Sequence, residues 1–222
     1  MNKLILLLGM LCLGTAAQAQ DTLRLPSLLS LHVGTALPMG SFSGSSFDKE
    51  SPAFAGEGIL LQLTYTHPIT SHLALGATAG FRANPFLQEK FQIPGDNLVQ
   101  AIESTPWKTG YALANVQVQV PLGEEGGFYL RGGVGGALNR AASLRVLTPY
   151  GTITRDAETS LSIAYGASSG FYSVVSNLVL GFEVSLMATR ADLTPINPTG
   201  STEKYRQPLH SANLSLGIGY RL

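Results

Sequence analysis

From Leu28 to the last residue the chain returns repeatedly to one pattern: an apolar residue at every second position, with a small or polar residue between. Alternation with period two is what a β-strand shows when its two faces meet different surroundings. The pattern predicts eight strands, at 28–37, 58–67, 72–82, 111–122, 128–138, 159–171, 178–188 and 213–222. Each is near the roughly 9–11 residues that a tilted strand needs to cross a bilayer. In the first, Leu29, Leu31, Val33, Thr35 and Leu37 share one face, and Ser30, His32, Gly34 and Ala36 share the other. In the fourth, Ala114, Val116, Val118 and Val120 alternate with Asn115, Gln117 and Gln119.

The connections are sorted as strictly as the residues. Those after the second, fourth and sixth strands are short, at 68–71, 123–127 and 172–177, whereas 38–57, 83–110 and 189–210 are long and rich in Gly, Ser, Pro and Asn. The fifth and sixth strands are expected to continue as a hairpin over 145–155, where β-formers flank Pro149, Tyr150 and Gly151. All tight turns then fall at one end and all long loops at the other, the asymmetry of an outer-membrane barrel. A β-sandwich with Greek-key crossovers has no reason to sort its loops. The predicted fold class is all-β, an eight-stranded antiparallel up-and-down transmembrane β-barrel. Phe128, Phe171 and Tyr220 lie on the apolar face at the turn end and Phe81 on the same face near the loop end, where interfacial aromatic girdles belong.

The N-terminus bears on the compartment. Lys3, an apolar run from Leu4 to Gly14 and the small-residue site Ala17-Gln18-Ala19 read as a secretory signal peptide over 1–19. That leaves 20–222 as one barrel domain and removes the only cysteine, Cys12. Net charge is zero, with 14 basic and 14 acidic residues, which gives no reason to expect a nucleic-acid partner. An exported chain with a mean hydropathy of +0.19 and no second long apolar run either encloses a large dry core or faces lipid with its strands.

The final segment, Asn213 to Leu222, is the most regular of all, and an open edge in hydrocarbon is so costly that it is expected to pair with the first strand. Ser215, Gly217, Tyr220 and Leu222 resemble the C-terminal β-signal of bacterial outer-membrane proteins. That resemblance implies recognition by the barrel-assembly machinery. Over 20–222 the sequence resembles the small eight-stranded barrel family that includes the OmpA-like and OmpX-like transmembrane domains. The Ala17-Gln18-Ala19-Gln20 signal ending and the Gly-rich strands are similar to Bacteroidetes versions, some of them PorT-like. The resemblance implies a cell outer membrane location, contact with outer-membrane lipid and lipopolysaccharide, and surface protein partners met through the loops.

Candidate chemistry lies on the inward faces. Such a barrel has an interior just wide enough for side chains to fill, so charged groups there need partners. Arg82, Arg131, Glu183, Arg221 and Gln117 are expected to form a lumenal polar network, with Arg131 and Glu183 at similar depth and paired. This network either plugs the barrel or gates a narrow pore. Nothing calls for a cofactor: the glycines of 132–136 lack the Lys-Ser/Thr ending of a phosphate loop, and His67 and His72 flank a turn without further metal-ligand types. A lipid-directed hydrolase or acyltransferase would need a triad drawn from Ser211, His210 and Asp192 or Glu203. Phe42, Phe47, Phe54, Phe86, Phe91 and Trp107, all in predicted loops, are the expected contact surface for partners. The leading reading is a non-enzymatic envelope anchor or surface-interaction protein.

Overall fold

The computed structural model describes residues 26–46, 52–92, 98–123, 125–194 and 204–222. The signal segment, Phe47 and Glu203 lie outside these residues. Eight strands close into an all-antiparallel barrel: β1 (Leu28–Met39), β2 (Gly58–Pro68), β3 (Leu73–Asn84), β5 (Trp107–Pro121), β6 (Gly126–Arg140), β9 (Thr159–Val175), β10 (Leu178–Leu193) and β12 (His210–Arg221). Closure is made by β12, which pairs with β1 from Leu28↔Arg221 to Met39↔His210 and with β10 on its other side. No strand edge is left in the barrel wall, so every ladder group finds a partner without water.

The two faces separate as the alternation requires. Outward positions are exposed and apolar, among them Leu161, Leu216, Ile59 and Leu130 at 64–78% exposure. An apolar belt running round the whole barrel far exceeds the patches that water-soluble proteins tolerate, so the wall is built for hydrocarbon. On the outer face, Phe128 and Phe171 are in ring contact at 5.2 Å between centroids. The β9–β10 connection is tighter than the sequence suggests: only Ser176 and Asn177 lie between the strands, and Ser176 takes the left-handed φ of 59° that a two-residue hairpin demands.

Several strands are longer than a bilayer crossing. β5, β6, β9 and β10 run to 15–17 residues, against roughly 9–11 for a tilted crossing. β5 and β10 gain their extra residues at the long-loop end, where the remaining elements sit. There β4 (Ala101–Ser104), β7 (Leu144–Thr148) and β8 (Gly151–Arg155) form a separate three-stranded sheet in the order β4-β7-β8. The predicted hairpin at 145–155 therefore exists, but it pairs with β4 instead of prolonging β6 and β9. The short strand β11 (Tyr205–Pro208) adds to the projecting end of β10, and α1 (Gln88–Phe91) is a single helical turn.

This end of the molecule has its own core. Phe42, Phe54, Phe86 and Trp107 are each at most 9% exposed and cluster with Ala53, Ala141, Ala191, Leu193 and Leu209, and Phe91 packs against them. Trp107 Nε1 donates to the Ala53 carbonyl at 3.0 Å, and Phe42 meets Trp107 edge to face. Of the loop aromatics expected to face partners, Phe42, Phe54, Phe86, Phe91 and Trp107 are thus turned inward. Segments carrying that many apolar side chains lower their free energy by burying them against one another, and the result is a folded cap on the barrel.

Candidate functional site

The inward faces stack four layers beneath the cap. Uppermost is Arg82 on β3, fully buried. Its guanidinium donates to Ser211 Oγ and, at 2.7 Å, to the Leu209 carbonyl, and lies 5.2 Å from the centroid of the Phe42 ring. No carboxylate approaches it within ion-pair distance among the described residues. Neutral acceptors and an aromatic face carry this charge, and they join cap to barrel. Asn84 donates to the Ala36 and Gly56 carbonyls in the same region, while Asn139 ties Thr109, Ser162 and Thr189 across three strands.

Below lies an apolar plug of Ala36, Leu60, Leu113, Ala137, Ala164 and Met187, with the ring of Tyr111 at its edge. Leu60 interrupts an otherwise polar inward face on β2. Leu113 and Met187 extend the inward parity of β5 and β10, and the polarity pattern gave no sign of either.

The third layer is charged and centres on Glu183, which is 1% exposed. Its Oε1 accepts from Gln62 Nε2 at 2.9 Å and its Oε2 from the Tyr129 hydroxyl at 2.6 Å. Arg131 pairs with the same Oε2 at 3.1 Å, and its Nε donates to Gln117 Oε1 at 3.1 Å. Tyr111 closes the group by donating to Gln62 Oε1 at 2.8 Å.

Two glycines make this geometry possible. Glu183, Gly170 and Tyr129 form one row across β10, β9 and β6. A Cβ on Gly170 would stand 2.3 Å from Cζ of Tyr129, so the missing side chain lets Tyr129 lean over β9 to reach Glu183. Gln62, Gly80 and Tyr111 repeat the arrangement across β2, β3 and β5, with the Tyr111 ring over Gly80. The two bridges meet at the Gln62–Glu183 hydrogen bond.

The fourth layer is a vestibule of about 120 Å³ at the tight-turn end, walled by His32, Gln117, Gln119, Tyr129, Arg131 and Arg221. A second cavity, about 30 Å³, lies on the other side of the Arg131–Glu183 pair beside Gln62, Tyr111 and Met187. The smaller holds about one or two waters. The charged layer and the plug thus interrupt the lumen.

The candidates drawn from the sequence divide accordingly. Arg131, Glu183 and Gln117 come together, whereas Arg82 belongs to a separate layer a level above and Arg221 sits half-buried at the vestibule mouth, outside the Glu183 group. In the terminal strand, Ser215 and Gly217 face inward. Tyr220 and Leu222 face outward, and the Leu222 N–H donates to the Ser27 carbonyl at 2.8 Å. No triad assembles from the described members proposed for it. Ser211 points into the lumen and accepts from Arg82, its neighbour His210 has the opposite strand parity, and Asp192 is 3.1 Å from Arg206. His67 and His72 each share a hydrogen with a serine hydroxyl, Ser27 and Ser71. No group of three metal-ligating side chains occurs among the described residues.

Similar architecture occurs in solved structures. Neisserial surface protein A matches with a TM-score of 0.50 at 13% identity, covering 88% of this chain and 96% of its own. A major outer membrane protein of Thermus thermophilus matches with a TM-score of 0.51 at 13% identity, over 88% and 99%. At such identity the likeness establishes the fold, that of small outer-membrane barrels. No protein-family model and no curated relative matches the sequence.

Proposed function

We propose that this chain is a non-enzymatic outer-membrane protein whose closed barrel is an anchor and whose folded cap is the surface that meets partners. The observation that carries the reading is the interrupted lumen: an apolar plug over a fully hydrogen-bonded charged layer, with the ordered structure placed outside. Scaffolds of this kind put function on what they hold up. The apolar belt and the sorting of connections support placing the tight turns in the periplasm and the cap at the cell surface.

Two partners belong to this reading, one argued from surface charge and one from the resemblance of the terminal strand to a β-signal. Lys108 and Arg140 are directly opposed on β5 and β6, face outward above the apolar belt, and have no acidic partner among the described residues. Like charges directly opposed are destabilising on their own; lipopolysaccharide phosphates would relieve them. The terminal strand, with Ser215, Gly217, Tyr220 and Leu222, is the segment offered to the barrel-assembly machinery. Within this class, the Gly-rich strands favour a Bacteroidetes-type, PorT-like member.

One observation favours a second reading, a gated narrow pore: the vestibule reaches Arg131 of the Arg131–Glu183 pair from the tight-turn end. Single-channel recording of the refolded protein in a planar bilayer separates the two. A folded, silent barrel is expected; steady openings of the unmodified protein would sink the anchor reading.

A further inference from the structure

The cap carries a half-open pocket of about 350 Å³ that is separate from the lumenal cavities. This is within the size range of small-molecule sites, which are mostly apolar with a few placed polar groups. Its floor and one wall are aromatic: Phe54, Phe86 and Phe91 meet pairwise with centroids 5.3–5.7 Å apart, and Trp107 lines the same space. Arg155 of β8 and Tyr205 of β11 line the same pocket. The Arg155 guanidinium is hydrogen-bonded to the Tyr205 hydroxyl and lies 5.5 Å from the centroid of its ring. Arg155 is half-buried and has no carboxylate partner among the described residues.

An aromatic chamber with one uncompensated guanidinium on its rim selects for a ligand with an apolar body and a single negative end. The alternatives fit less well. A neutral hydrocarbon leaves the charge unanswered, a polyanion finds one cation among the described lining residues, and a cation finds that cation opposed to it. We propose that the cap binds a medium-sized monocarboxylate, of the class of a medium-chain fatty-acid anion, with its carboxylate on Arg155 and its apolar body against Phe54, Phe86, Phe91 and Trp107. This deepens the anchor reading, on which it rests, by naming what the cap meets.

Trp107 is the single tryptophan of the chain and lies outside the bilayer, so its emission reports the chamber directly. The experiment titrates octanoate, and separately octan-1-ol, into the protein held in zwitterionic lipid vesicles. Octanoate is expected to shift Trp107 emission saturably. Octan-1-ol should bind about tenfold more weakly or worse, and Arg155→Gln should lose a similar factor for octanoate alone, the scale of one charged hydrogen bond. Arg155→Lys, which keeps the charge, should recover part of it. An unsaturable response, or equal octanoate affinity in Arg155→Gln and the unmodified protein, overturns the site. A silent barrel with no saturable emission change removes only the ligand; a conducting one removes the anchor reading whatever Trp107 reports.

Discussion

Replacing Glu183 by Gln tests whether the third lumenal layer is held by charge. The substitution keeps the shape and removes the anion on which three donors converge: Gln62 Nε2, the Tyr129 hydroxyl and Arg131. The new amide must turn its NH2 toward one of those donors, and Arg131 is left as a mostly buried cation. Removing one partner of a buried pair costs about 3–5 kcal/mol. Arg131 keeps Gln117 and the face of Tyr129, 4.9 Å from the ring centroid, and borders a cavity that can hydrate it, so the lower end, about 3 kcal/mol, is expected. Arg131→Met should cost a similar amount, because Glu183 then keeps only its two neutral donors.

The pair's own contribution emerges from the double variant. With both charges gone neither residue is stranded, so the double should lose no more than either single, at most about 3 kcal/mol, a coupling of at least about 3 kcal/mol within the cycle. Urea titration of protein in vesicles, scored as the fraction migrating as the folded band on an unheated gel, gives each value. A double variant whose loss equals the sum of the singles, with coupling below about 0.5 kcal/mol, would refute the reasoning. Conductance of Glu183→Gln should stay silent, since Leu60, Leu113 and Met187 still block the lumen above; openings in this variant would make the charged layer the gate.

Gly170→Ala should cost about 1–3 kcal/mol by overpacking, because the added carbon displaces the Tyr129 ring from Glu183; the same urea titration checks it, and an unchanged midpoint contradicts the bridge. Trp107→Ala should lose about 3–5 kcal/mol from the cap while the barrel keeps its heat-modifiable mobility, so external protease should cut the cap and spare the membrane-embedded strands. Lys108→Glu with Arg140→Glu should slow refolding into lipopolysaccharide-containing vesicles while leaving phosphatidylcholine vesicles unaffected; equal slowing in both would remove the phosphate contact. Deleting Leu222 should leave refolding in detergent intact and abolish assembly in cells, and normal assembly would remove the terminal strand as a recognition signal.

The barrel was legible because its two faces meet different solvents. Lipid outside and packed polar groups inside impose a period of two that neither Gly nor Ala interrupts, so positions such as Leu29, Val116 and Leu180 declare their side unaided. Arg131 and Glu183 were readable as a pair because depth along a strand can be counted from its turn. The partners that complete the layer were harder to see. Tyr129 reaches Glu183 over Gly170, and Tyr111 reaches Gln62 over Gly80, contacts that depend on which strand position lacks a Cβ once register is set. The cap was not legible at all as a cap: its aromatics follow no period, and apolar residues in Gly- and Pro-rich segments look the same whether they await a partner or pack on one another.

Those bridges also say where the barrel is strong. β2, β3 and β5 are tied by the Tyr111–Gln62 bond, β6, β9 and β10 by the Tyr129–Glu183 bond, and Gln62–Glu183 fastens the two groups across the lumen. The seam between β1 and β12 lies outside this arrangement. No side-chain hydrogen bond joins those two strands among the described residues; instead the His32 ring fills the space over Gly217, and the backbone ladder does the rest. A seam held by main-chain bonds is sequence-tolerant and can zip as the last strand arrives, whereas a network of buried charges must find all its partners at once. The division suits a wall that β12 completes: the six bridged strands set the lumen, and β1 and β12 close it through contacts that need only the correct register.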